Sequence, residues 1–174
     1  MAPRPADPAQ EDGEPDPYDV ARKIVLRQLT MAPRSRKQLE DKLRQRGCDD
    51  EVAATVLDRM TEVGLVDDEA YAATLVRSRQ ATKGLARRAL AHELRTKGVD
   101  DEIARDTLDR VDEEQERDQA RALVDKRLRR LHGLDRQVQT RRLAGMLARK
   151  GYSPGMSYAV IQEALDDSPQ HRRD

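Results

Sequence analysis

Among 174 residues there is no tryptophan, no phenylalanine and one cysteine. Without large aromatic side chains, burial falls to Leu, Val, Ile, Ala and Met, the larger of which contribute roughly 1.5–3 kcal/mol each when fully covered. A single large core is therefore excluded, and several small helical modules packed against one another are favoured. One cysteine allows no internal disulfide, and the chain has neither a signal-peptide hydrophobic segment nor an apolar run of transmembrane length. A cytoplasmic protein without membrane contact is expected. Enzyme chemistry is missing too. Cys48 has no histidine placed to activate it, no glycine-rich loop cradles phosphate, and His92, His132 and His171 have no Cys or His partner at zinc spacing. The expectation is a protein with no catalytic residues, cofactor, metal or small-molecule substrate.

What is present is charge, 38% of the chain, with 33 basic and 33 acidic residues summing to zero. That zero hides a sorting. Residues 1–20 carry six acids against one arginine, and residues 100–118 carry ten acids against three. Residues 77–98 hold seven Lys or Arg and one Glu, and residues 121–150 hold ten against two Asp. Blocks of this kind predict faces of opposite sign. Residues 1–17 contain five prolines among their acids and read as a disordered tail, as do residues 167–174.

Between the tails the chain repeats itself. Leu39, Leu43, Gly47, Val52, Val56 and Leu57 correspond to Leu90, Leu94, Gly98, Ile103, Thr107 and Leu108, and again to Leu143, Leu147, Gly151, Met156, Val160 and Ile161. Cys48 falls where Val99 and Tyr152 fall, so it reads as a small apolar side chain at a helix junction. The leucine spacing is helical throughout and no alternating run suggests a strand. The predicted fold is all-α, an elongated array of three tandem three-helix repeats with about nine helices and no sheet. The units are 18–66, 67–112 and 113–166, with helices near 18–31, 35–46 and 50–63, then 68–81, 85–97 and 101–112, then 113–131, 136–150 and 154–166. Glycine ends helices, and Asp49, Asp100, Ser153 before Pro154, and the Ser35/Gln38 capping box begin them. No Gly or Pro separates 101–112 from 113–131, which leaves a nearly continuous helix or a slight bend at that junction.

The paired carboxylates, such as Asp49-Asp50-Glu51 and Asp100-Asp101-Glu102, suit first helical turns better than catalysis. The basic blocks supply the binding candidates: Arg77, Arg79, Lys83, Arg87, Arg88, Arg95 and Lys97, then Arg127, Arg129, Arg130, Arg141, Arg142, Arg149 and Lys150. Each is equally readable as exposed solubilising charge. A helix-turn-helix reader of DNA is the first rival, but helices that open with Asp-Asp-Glu would push carboxylates at phosphates. Weak nonspecific DNA contact and a generic helical adaptor for another protein stay open.

The stretch Gly64 to Ala72, "GLVDDEAYA", followed by "VRSRQATKG" and "RRALAHELRTKG", resembles the RecX family of RecA regulators over roughly residues 20–166. The resemblance implies a protein that binds the recombinase RecA and the filament RecA forms on single-stranded DNA. It implies inhibition of RecA ATPase, strand exchange and coprotease activity, and so a role in recombinational repair and the SOS response. Gly64, Asp67, Asp68, Tyr71, Gly84 and Gly98 occupy the matching motif positions, with Tyr71 standing where Phe is common. Periodicity places Tyr71 in the core with Leu75 and Val76, and makes Asp67 and Asp68 helix caps first.

Overall fold

The computed structural model describes residues 13–169. The tails expected at 1–17 and 167–174 lie mostly outside that range; within it, residues 13–16 are exposed and Asp167 still belongs to a helix. Among the described residues nine α-helices follow in order: α1 (Pro17–Met31), α2 (Arg36–Gln45), α3 (Asp50–Glu62), α4 (Asp68–Lys83), α5 (Arg87–Thr96), α6 (Asp101–Asp109), α7 (Glu113–Leu128), α8 (Arg136–Arg149) and α9 (Pro154–Asp167). A single 3₁₀ turn, Arg129–Leu131, finishes the segment expected as 113–131, and no strand occurs among the described residues.

Local signals place most of these starts. Asp49 accepts from the amides of Glu51 and Val52, Asp100 from Glu102, and Ser153 from Met156 with Pro154 at the first helical position. The Ser35/Gln38 capping box forms in both directions. Between α6 and α7 the chain breaks fully, unlike the continuous or slightly bent helix left open above. Val111 is buried in the second core, and Asp112 caps a new helix by accepting from the Glu114 amide. A helix running on would pull Val111 out of that core.

Each trio has its own apolar cluster. Val25, Leu39, Leu43 and Leu57 centre the first; Ala72, Leu90 and Leu94 the second; Val124, Leu143, Leu147, Ile161 and Leu165 the third. All the well-packed helix pairs lie within a trio. Ala86 alone crosses over, joining the third cluster from the start of α5. Three thinly joined bundles make a row.

The joints share one construction. At the first, the Ser35 hydroxyl donates to the Lys97 carbonyl (2.5 Å), and the Arg36 amide donates to Asp68 Oδ1 (2.8 Å). At the second, the Ala86 amide donates to the Lys150 carbonyl (2.8 Å), the Arg88 amide to the Gly151 carbonyl (3.4 Å) and the Arg87 amide to Glu116 Oε1 (2.9 Å). In both, the C-terminal turn of one repeat's second helix sits on the N-terminal turn of the preceding repeat's second helix. Macrodipoles therefore run head to tail along α2, α5 and α8. The glycines at these turns do more than end helices. Gly98 and Gly151 have φ of +79° and +91°, and a Cβ on Gly98 would overlap Lys37, while one on Gly151 would collide with the backbone nitrogen of Ala89.

Two outcomes follow for stability. Leu94 is fully buried, so Leu94→Ala should cost about 2–5 kcal/mol in urea unfolding. Gly151→Ala should lose more than Gly47→Ala. Both carry the positive-φ penalty of about 1–2 kcal/mol, but Gly47 has nothing within 4 Å of a new Cβ. Equal midpoints for the two glycine variants would contradict the joint as described.

Candidate functional site

The start of α5 explains how this site is held. Ala86 stands at the cap position and provides no side-chain hydrogen bond, although buried helix-start amides need partners. The third repeat supplies them through Lys150, Gly151 and Glu116. Glu116 is buried, and its second oxygen lies 3.5 Å from Arg87 Nε, an ion-pair contact. The Arg87 guanidinium also donates to the Val111 carbonyl (2.5 Å), pinning the break between α6 and α7. Tyr152 closes the joint: its hydroxyl donates to the Gly84 carbonyl (2.9 Å) and accepts from Gln119 Nε2 (2.7 Å). Burial pushes the Tyr152 phenol above its ordinary pKa.

This joint sorts the cations. Arg87 belongs to it, Lys150 Nζ donates to the Lys83 carbonyl (2.6 Å), and Arg79 is paired with Glu93. Arg77 lines an acid-rich cleft with Glu69, Asp106 and Asp112. Arg95 lies 4.0 Å from Asp101 with both side chains well exposed, a pair of little energetic weight. Lys83, Arg88, Lys97 and Arg149, with His92, line one open groove of about 580 Å³ between the end of α4, the outer face of α5 and the end of α8. None of those four has an ion-pair partner among the described residues. The groove's one carboxylate, Glu93, is occupied by Arg79.

The rest of the basic set is dispersed over the third repeat. Arg127, Arg130, Arg141 and Arg142 are exposed and without ion-pair partners among the described residues, while Arg129 lines a separate cleft with His132. There Arg121 holds Asp125 and Asp167, each at 3.0 Å. Of the motif positions, Tyr71 is buried with Leu75 and Val76 and its hydroxyl pKa is raised by that burial. Gly64 is exposed, Gly84 packs under Leu123, and Gly98 is at the first joint. Asp67 and Asp68 part company: Asp67 caps its own helix through the Ala70 amide, and Asp68 caps the neighbouring repeat's α2. Ser35, Asp68, Glu116, Gln119 and Tyr152 were not picked out as joint residues from sequence. The signal available was the register itself, in which Arg36 and Arg87 are equivalent, as are Gly98 and Gly151.

Family models for RecX three-helix domains match all three bundles, the first over residues 21–60, the second over 67–108 and the third over 113–164. The chain belongs to the RecX family. Regulatory protein RecX of Streptomyces lividans is 53% identical over 159 residues, covering 90% of this chain and 85% of the relative. Regulatory protein RecX of Thermobifida fusca is 52% identical over 151 residues, covering 87% and 82%. The crystal structure of RecX from Lactobacillus salivarius matches with a TM-score of 0.81 at 25% identity, over 86% of this chain and 97% of that one. RecX relatives are thus named as regulatory proteins. Among the described residues no helix is long and apolar enough to cross a membrane, and no cluster of His, Cys, Asp or Glu is arranged to hold a metal ion.

Adjacent arginines should separate in a stability measurement. Arg87→Ala strips the Val111 carbonyl and Glu116 of their partner and should cost about 1–2 kcal/mol. Arg88→Ala, at an exposed side chain, should stay within about 0.5 kcal/mol of the parent. The check is the shift in urea midpoint.

Proposed function

We propose that this protein binds the recombinase RecA, and the filament RecA forms on single-stranded DNA, in the bacterial cytoplasm. Binding holds down RecA ATPase, strand exchange and coprotease activity, and so modulates recombinational repair and the SOS response. The observation that carries the reading is the architecture: three separately cored bundles strung in line, with unpaired cations along the middle and last of them. Such a row gains several modest contacts at once along an extended partner, so avidity substitutes for one deep pocket. Family membership supports the regulatory role.

The contacts fall to Lys83, Arg88, Lys97 and Arg149 in the groove and to Arg127, Arg130, Arg141 and Arg142 beyond it. Arg87, Arg79 and Lys150 serve the fold. The groove is lined by Lys83, Arg88, Lys97, Arg149 and His92 and by no Phe, Tyr or Trp, so contacts to anionic groups dominate its grip over stacking on large rings. The carboxylates at the starts of α3 and α6 oppose a helix-turn-helix docking in DNA.

The test is ATP hydrolysis by RecA on single-stranded DNA as the protein is added, repeated with Arg88→Glu combined with Arg149→Glu. Inhibition by the parent is expected, with the half-inhibitory concentration of the variant raised at least about tenfold, or 1.4 kcal/mol, at unchanged melting temperature. A protein that leaves RecA untouched while protecting a particular duplex sequence is a DNA reader instead. One that does neither is an adaptor for another partner.

A further inference from the structure

Both internal joints present the same ligand to the same receptor. A turn of the form Lys-Gly-x at the end of a second helix, together with the start of the same repeat's first helix, receives the N-terminal turn of another helix. The receptor is Lys97–Gly98 with Asp68 at one joint and Lys150–Gly151 with Glu116 at the other. The received turns are Ser35-Arg36-Lys37 and Ala86-Arg87-Arg88, each a small cap residue followed by two cations.

The first repeat owns the same receptor, and no other described residue fills it. Arg46–Gly47–Cys48 is the equivalent turn, Gly47 has a φ of +78°, and beyond its chain neighbours no atom of the described residues lies within 4 Å of where its Cβ would be. Cys48 is only half-buried, although its counterparts are buried, Val99 in the second core and Tyr152 at the second joint. The start of α1 adds a carboxylate, Asp19, which also holds Arg22 at 2.6 Å, and two large apolar side chains, Tyr18 and Val20, each 41% exposed. Acids and cations both stand around the turn: Asp49 caps α3, Asp50 holds Arg44 at 3.3 Å, and Glu51 follows them in the first turn of α3. A second copy of this chain does not fit end to end. Its α2 and α5 starts are occupied, and α8 begins a turn earlier than its counterparts, burying Gln139 at the register position of Ser35 and Ala86.

We infer that this open end, built from the start of α1 and the turn Arg46–Gly47–Cys48, docks the first turn of a helix belonging to a protein partner, a turn with a small cap residue followed by Lys or Arg. The occupied joints supply the geometry, and Glu51 beside the turn, together with Asp19 and Asp50 that are now shared with Arg22 and Arg44, offers carboxylates to such a cationic start. Tyr18 and Val20 give the contact apolar area that a polyanion would not cover. The inference deepens the filament reading and rests on it for the partner's identity: the open end meets protein, leaving the basic groove to a different part of the partner.

The experiment uses the full-length protein and RecA assembled on poly-dT. Gly47→Asn puts a side chain where the docked helix would sit, in a residue that tolerates the left-handed conformation, and Tyr18→Asp with Val20→Asp removes the apolar contact from an exposed surface. Each variant should melt within a few degrees of the parent, and its half-inhibitory concentration in the ATPase assay should rise at least about tenfold. In parallel, iodoacetamide labelling of Cys48 should slow several-fold when the parent is bound to the filament. If the parent inhibits, the variants match it and Cys48 labels at its free rate, the docking face is wrong and the filament reading stands. If the parent neither inhibits RecA nor shows Cys48 protection on the filament, both fall.

Discussion

The structure depends on how the first amides of α5 are satisfied. A helix leaves its first N–H groups without internal partners, and a buried start that lacks a capping side chain costs free energy for each one left unmet. Ala86 caps nothing. The carbonyls of Lys150 and Gly151 and the carboxylate of Glu116, all from the following repeat, do that work instead. The second helix of the middle bundle is thus completed only when the third bundle is docked on it. Folding of one unit and attachment of the next are the same event at this joint.

The first joint is built more loosely. Ser35 already caps α2 through its own box, so Lys97 and Asp68 reinforce a helix start that is locally complete. No apolar cluster spans it, whereas Ala86 belongs to the third core and Leu123 covers Gly84 at the second joint. The second and third bundles therefore form the stiffer pair, and the first is held chiefly by polar contacts.

Much of the fold was legible in the sequence because the signals that set it are local. Asp49, Asp100, Ser35 and Ser153 cap helices a few residues away, and the leucine register of the three copies is visible by alignment alone. The joints were not legible, because their bonds join residues 29 to 68 positions apart in the chain, as for Arg87 with Glu116 and Tyr152 with Gly84. The same limit governs the basic candidates. Arg87 and Arg88 are chemically identical neighbours, yet one is locked under Val111 and the other faces an open groove. Asp67 and Asp68 diverge for the same reason. Composition reveals how much charge a segment carries; only tertiary contacts reveal which charges are already spoken for.

Separate hydrophobic clusters have a kinetic side. Rupturing the polar first joint need not disturb the leucines of the second bundle, so the first bundle's contacts along a long partner can be lost before those of the stiffer pair. On the proposed polymeric partner, such an arrangement would let a competitor invade from the first bundle's end, at a barrier set by that bundle, while the stiffer pair holds when left undisturbed.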